Sequence, residues 1–115
     1  MSKATTFYVI QFPPDKRGIE KLIADNLVKR GFKATPGPEL PQGSYRADAV
    51  VTYVDKWMWD ITMYMLELTI TIRNPANDYP MATGNSYHTS LTRKSPEEMV
   101  DEVLSNIFKE TQVKK

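Results

Sequence analysis

The sequence predicts an α+β fold: a two-layer sandwich whose mainly antiparallel sheet carries two amphipathic helices on one face, in the order β-α-β-β-β-β-α. Three observations predict it. Residues 47–74 (ADAVVTYVDKWMWDITMYMLELTITIRN) read as two long strands, rich in β-branched and aromatic residues, joined by a tight aromatic turn. Residues 18–30 and residues 96–109 each repeat apolar side chains at helical spacing. Two such helices cover only one side of a sheet, so the other is left to water or to a partner. At 115 residues the chain is one domain with a single core, its ordered part expected at about 6–110.

Residues 7–12 (FYVIQF) are rich in β-branched and aromatic types and form the first predicted strand, which Pro13 and Pro14 end. Asp15 sits where its carboxylate caps the following helix. Ile19, Leu22, Ile23, Leu27 and Val28 make the apolar stripe of that helix, and Gly31 with Phe32 reads as a glycine C-cap with an apolar residue folded back. Residues 32–35 form a brief second strand, and the proline-rich residues 35–45 a loop. Residues 73–80 (RNPANDYP) form a turn, and residues 81–91 a return strand with the small Ala82, Gly84 and Ser86 on one face. Ser95, Pro96 and Glu98 spell a capping box for the last helix, predicted to end near Lys109 or Glu110 with a frayed tail behind it.

Placing the hairpin turn at residues 56–59 sets Val54 opposite Ile61 and Val50 opposite Met65. Ala49, Val51, Tyr53, Tyr64, Leu66, Leu68, Ile70 and Ile72 then face the helices. Val50, Thr52, Val54, Ile61, Met63 and Met65 face away. A one-residue bulge would exchange parts of these sets. In this register Trp57, Trp59, Ile61, Met63 and Met65 make an adaptable apolar patch of the kind found at protein contacts. The same residues also fit a small second core, with the tryptophans folded over the sheet edge.

Composition excludes several classes. A net charge of +1 provides no field for nucleic acid or an anionic membrane. With no cysteine and one histidine, disulfides and thiolate chemistry are excluded and metal sites are disfavoured, so neither metal nor cofactor is expected. No apolar run reaches a membrane span, and no signal-peptide pattern opens the chain, so it reads as cytoplasmic or as a trimmed exported protein.

Three constellations bear on enzymatic chemistry. His88 lies two residues from Ser86 and from Ser90, a spacing that admits a Ser–His nucleophile pair without any G-x-S-x-G elbow. Asp55 and Asp60 flank the expected turn, either as an acid pair or as caps of its amides. Arg93 and Lys94 precede a helix N-terminus, whose donors Ser95 and Glu98 already occupy. A small hydrolase built on His88 or on Asp55 and Asp60 is the alternative to a binding domain. A small-molecule carrier ranks below both, for want of an internal polar anchor.

The segments FYVIQFPPDKRGIEKLIADNLVKRGFKA, ADAVVTYVDKW and ATGNSYHTSLTRKSPEEMVDEVLSNIF together resemble small bacterial envelope lipoprotein domains. Their layout is similar to the amino-terminal domain of TolB and to the curli-secretion lipoprotein. The resemblance covers the whole domain and carries no catalytic motif. It implies an exported, non-enzymatic binding or assembly domain, joined to the membrane only through a lipid anchor on a cysteine that this chain does not contain. A protein partner or a second copy would meet it at the hairpin patch.

Overall fold

The computed structural model describes residues 5–11, 17–41 and 43–113, with side chains to Lys109. Its elements are β1 (Thr6–Ile10), α1 (Ile19–Lys29), β2 (Lys33–Gly37), β3 (Ala49–Asp60), β4 (Thr62–Arg73), β5 (Pro80–Tyr87) and α2 (Pro96–Val113). They form the expected α+β sandwich. The sheet order is β2-β1-β3-β4-β5, with β1 parallel to both neighbours and β3, β4 and β5 an antiparallel meander. The expected proline stop at Pro13–Pro14 and cap at Asp15 lie outside the described residues. Gly18, in the left-handed region at φ 74°, is the N-cap of α1 and makes no side-chain cap bond.

Both local helix signals take the expected form. The Phe32 amide donates to the Leu27 carbonyl and the Gly31 amide to that of Val28, with Gly31 at φ 97°. Phe32 then packs on Phe7 and Phe108, each 5.1 Å between ring centroids. At the start of α2 the Glu98 amide donates to Ser95 Oγ and the Ser95 amide to Glu98 Oε1. Those bonds hold the Glu98 carboxyl below its ordinary range, the Ser95 amide contributing most. No glycine or proline follows Lys109, and α2 continues to Val113 rather than ending there.

One continuous core fills the space between the sheet and the helices. Phe7, Val9, Ala49, Val51, Tyr53, Leu68, Ile70 and Ile72 come from the sheet; Ile19, Ile23, Leu27, Met99, Val103, Leu104 and Ile107 come from the helices. Gly84 lets α2 sit directly on β5, where an added methyl group would lie 2.9 Å from Val103 Cγ1 and from Ile107 Cγ1. The helices are tied to each other by Arg30, which donates to Asp101 Oδ1 at 2.9 Å and to Ser105 Oγ at 2.8 Å. On the opposite face the proline-rich loop covers the base of the sheet. Tyr8 donates to the Pro38 carbonyl at 2.7 Å, Tyr45 leans on the Tyr8 ring, and Val50 is buried there.

The hairpin departs from the expected register in two ways. Lys56, Trp57, Met58 and Trp59 are strand, not turn: Trp57 pairs with Met65 and Trp59 with Met63. Alternating aromatic residues suit a pleated strand, and the reversal falls at Ile61, which takes φ 68°. The register also shifts between Lys56 and Trp57: Lys56 faces Glu67 but Trp57 faces Met65, so Leu66 is a bulge with no partner on β3. Alternation on β3 is unbroken, so Trp57 and Trp59 share the helix side with Val51 and Tyr53. Their partners Met65 and Met63 are brought to that side, and Tyr64 is carried to the other. Met65 is therefore 0% exposed within the core rather than on the bare face.

Candidate functional site: the projecting hairpin tip

β1 pairs with β3 only from Ala49 to Val51, so the outer half of the β3–β4 ribbon extends beyond β1 and β2. Strands of twelve residues are about 40 Å long, and the molecule's longest extent is 42 Å. The tip carries apolar side chains on both faces and at its end. Trp59 is 69% exposed and Ile61 85%, while Met58, Met63 and Val54 are each roughly half exposed. A β-branched residue in the left-handed region is strained by roughly 1–2 kcal/mol, and here its side chain meets solvent.

The root of the tip is held from two sides. Trp57 packs against the core, donates from Nε1 to Asp55 Oδ2 at 2.7 Å, and lies under the Arg17 guanidinium at 4.2 Å. On the β5 side Arg93 donates from Nη1 to Thr62 Oγ1 at 2.6 Å and from Nη2 to the Asp60 carbonyl at 3.0 Å. Its guanidinium also lies 4.6 Å from the Tyr64 ring centre. Arg93 thus straps the β5–α2 connection to the tip. In the sequence this residue reads as a solvated cation beside a helix terminus; only the long-range fold gives it this role. Of the five expected patch residues, Trp59, Ile61 and Met63 are presented outward, Trp57 supports them, and Met65 anchors them in the core.

The constellations considered for hydrolysis are not assembled as a catalytic site. Asp55 and Asp60 do not face each other across a turn. They lie on one strand with opposite parity, paired with Leu68 and Thr62, and Asp55 is taken up by Trp57. Ser86 Oγ donates to Glu102 Oε1 at 2.6 Å, and His88 Nε2 lies 2.9 Å from that same oxygen. A nucleophile pair needs the hydroxyl to donate to the imidazole; here both groups converge on one carboxylate, and Ser86 is buried beneath α2. The Ser86 and His88 bonds, in that order, hold the Glu102 carboxyl below its ordinary range. Ser90 lies past the end of β5, where its carbonyl accepts from Arg93 Nε.

A groove of about 640 Å³ runs between the helices, lined by Asp25, Lys29, Lys94, Glu97, Glu98 and Asp101 among others. Its charges are largely engaged: Asp101 with Arg30 and Asn26, Glu98 with Ser95, and Lys94 with Glu102 at 3.8 Å. Among the described residues no three metal-binding side chains come together.

No protein-family model and no curated protein matches the sequence. The fold is shared with a solved structure, a point-mutant PelC dodecamer from Paraburkholderia phytofirmans. The TM-score is 0.61 at 19% sequence identity, over 88% of this chain and 86% of that one. At that identity the likeness is one of fold.

Proposed function

We propose that this chain is a non-enzymatic assembly domain of the bacterial cell envelope, joining copies of itself through the tip of the β3–β4 hairpin. The carrying observation is the projecting tip, whose Trp59 and Ile61 stand largely in solvent and whose Met58 and Met63 are about half exposed. Large apolar groups concentrated on one projection mark a contact surface. Trp57, Asp55, Arg17 and Arg93 hold that projection in place before any partner arrives, which lowers the ordering cost of association. The self-association half draws support from the fold shared with PelC, a protein solved as a dodecamer. The envelope half rests on the resemblance to envelope lipoprotein domains.

Sedimentation velocity across a wide concentration range tests the assembly. The wild-type chain should form oligomers that Trp59→Ser and Ile61→Asn each weaken by roughly tenfold or more, as removal of a buried aromatic or aliphatic anchor does. A chain that stays monomeric at every concentration, or whose oligomers ignore both substitutions, overturns the reading. Fractionating cells that express the complete gene product tests the location; recovery in the cytosol alone overturns that half.

A further inference from the structure

We infer that β5 is a second, independent self-association surface, by which two copies pair antiparallel about a two-fold axis to make one continuous sheet. The two edges of the sheet are built differently. On β2, the Lys33 amide and the Gly37 carbonyl bond to β1, so Ala34 and Pro36 point outward. Proline has no N–H, and the strand is five residues long, so this edge offers a single outward donor.

Along residues 83–87 the β5 edge has no proline and no irregularity of pairing. The His88 amide donates to the Leu66 carbonyl, so alternation turns the amides and carbonyls of Thr83, Asn85 and Tyr87 outward, away from β4. The strand, PMATGNSY, carries no charged residue, and its one proline stands at the first position. Lysines, bulges or an overlying segment commonly blunt such an edge. Here the bulge lies at the start of the strand, between Ile72 and Arg73 on β4, and residues 83–87 are regular. α2, seated on Gly84 at contact distance, holds the strand in place.

A second copy is the occupant that this chemistry fits. An uncharged strand placed against itself opposes no like charges. Centred on Asn85, the pairing sets Thr83 of one chain against Tyr87 of the other and forms on the order of six backbone hydrogen bonds between the chains. The helix side then brings only Gly84 and Ser86 together, both small. β2, with Lys33 and Pro36, makes the poorer partner, so the pairing is two-fold rather than head-to-tail. This surface does not rest on the tip contact, which lies at the far end of the ribbon.

Charge reversal tests the register. Thr83 and Tyr87 are exposed on the open face, so lysines there leave the core untouched. The double variant Thr83→Lys/Tyr87→Lys should lose the β5 dimer by at least tenfold in dissociation constant while keeping the tip contact. Mixing it with Thr83→Glu/Tyr87→Glu should restore pairing as a heterodimer. Trp59→Ser/Ile61→Asn should do the reverse, removing the tip contact and leaving a β5 dimer, so the two readings fail separately. Hydrogen exchange on the unaltered chain is the second measurement: the Thr83, Asn85 and Tyr87 amides should slow as concentration rises. Amides that exchange fast at every concentration, or association indifferent to both charged variants, overturn the proposal.

Discussion

Replacing Ile61 by glycine should move stability and association in opposite directions. Ile61 is the residue at which β3 reverses into β4, and it holds φ 68° with its side chain 85% exposed. In the folded monomer that side chain makes few contacts to lose. The left-handed conformation costs a β-branched residue roughly 1–2 kcal/mol, and glycine almost nothing. Glycine's larger unfolded-state entropy takes back roughly 0.5–1 kcal/mol. The balance is a stabilisation of about 0.5–1 kcal/mol, or roughly 2–5 °C in Tm for a domain of this size. Association raises apparent stability by mass action, so urea midpoints should be read at dilutions where the chain is monomeric. The same variant should weaken oligomers by roughly tenfold or more, because the aliphatic group is withdrawn from the contact. A destabilised Ile61→Gly monomer would refute the strain argument, and unchanged oligomers would refute the contact.

Gly84→Ala should cost about 1–3 kcal/mol in the urea midpoint, since the new methyl would meet Val103 and Ile107 at 2.9 Å; adding Ile107→Val should recover part of the loss, and no loss would mean that α2 shifts freely. Glu20 is buried on α1 with its Oε1 unpartnered among the described residues, so Glu20→Met should raise stability by about 1 kcal/mol, read from the same midpoints. Glu102 has a depressed folded pKa, so its stabilisation is whole above the ordinary value of 4.5 and is lost as pH falls through the lower folded value. Glu102→Gln should therefore be less stable than wild type at pH 7, with the gap closing as pH falls below the folded value; a gap that stays constant across the acid limb would rule out the linkage. Asp48, held low first by the Thr5 amide, adds to the same acid limb, which Asp48→Asn should flatten.

What the sequence makes legible is local. Gly31 with Phe32 and Ser95 with Glu98 are signals whose partners lie within five residues, so composition and spacing suffice to read them. The meander is legible because Leu68, Ile70 and Ile72 alternate cleanly with polar neighbours. The outer ribbon is not, because Met63, Tyr64, Met65 and Leu66 are all apolar and the period of two has nothing to lock onto. The turn is misplaced for a related reason: Ile61 is among the residue types least suited to positive φ, whereas paired tryptophans draw the eye. Arg93 cannot be found from spacing at all. Its partners Asp60 and Thr62 are 33 and 31 residues away, and only the connection from β5 to α2, running on toward the tip, brings them together.

Bulges bend a strand and tighten its twist, and Leu66 lies where the sandwich stops and the overhang begins. A chain lacking Leu66 would keep Trp57 opposite Met65 and Trp59 opposite Met63, because the pairing on either side is already in phase. It would lose the swing. Leu66 is dispensable for what the overhang displays and decisive for where it is aimed, so one codon is enough to steer the overhang without disturbing its foundations.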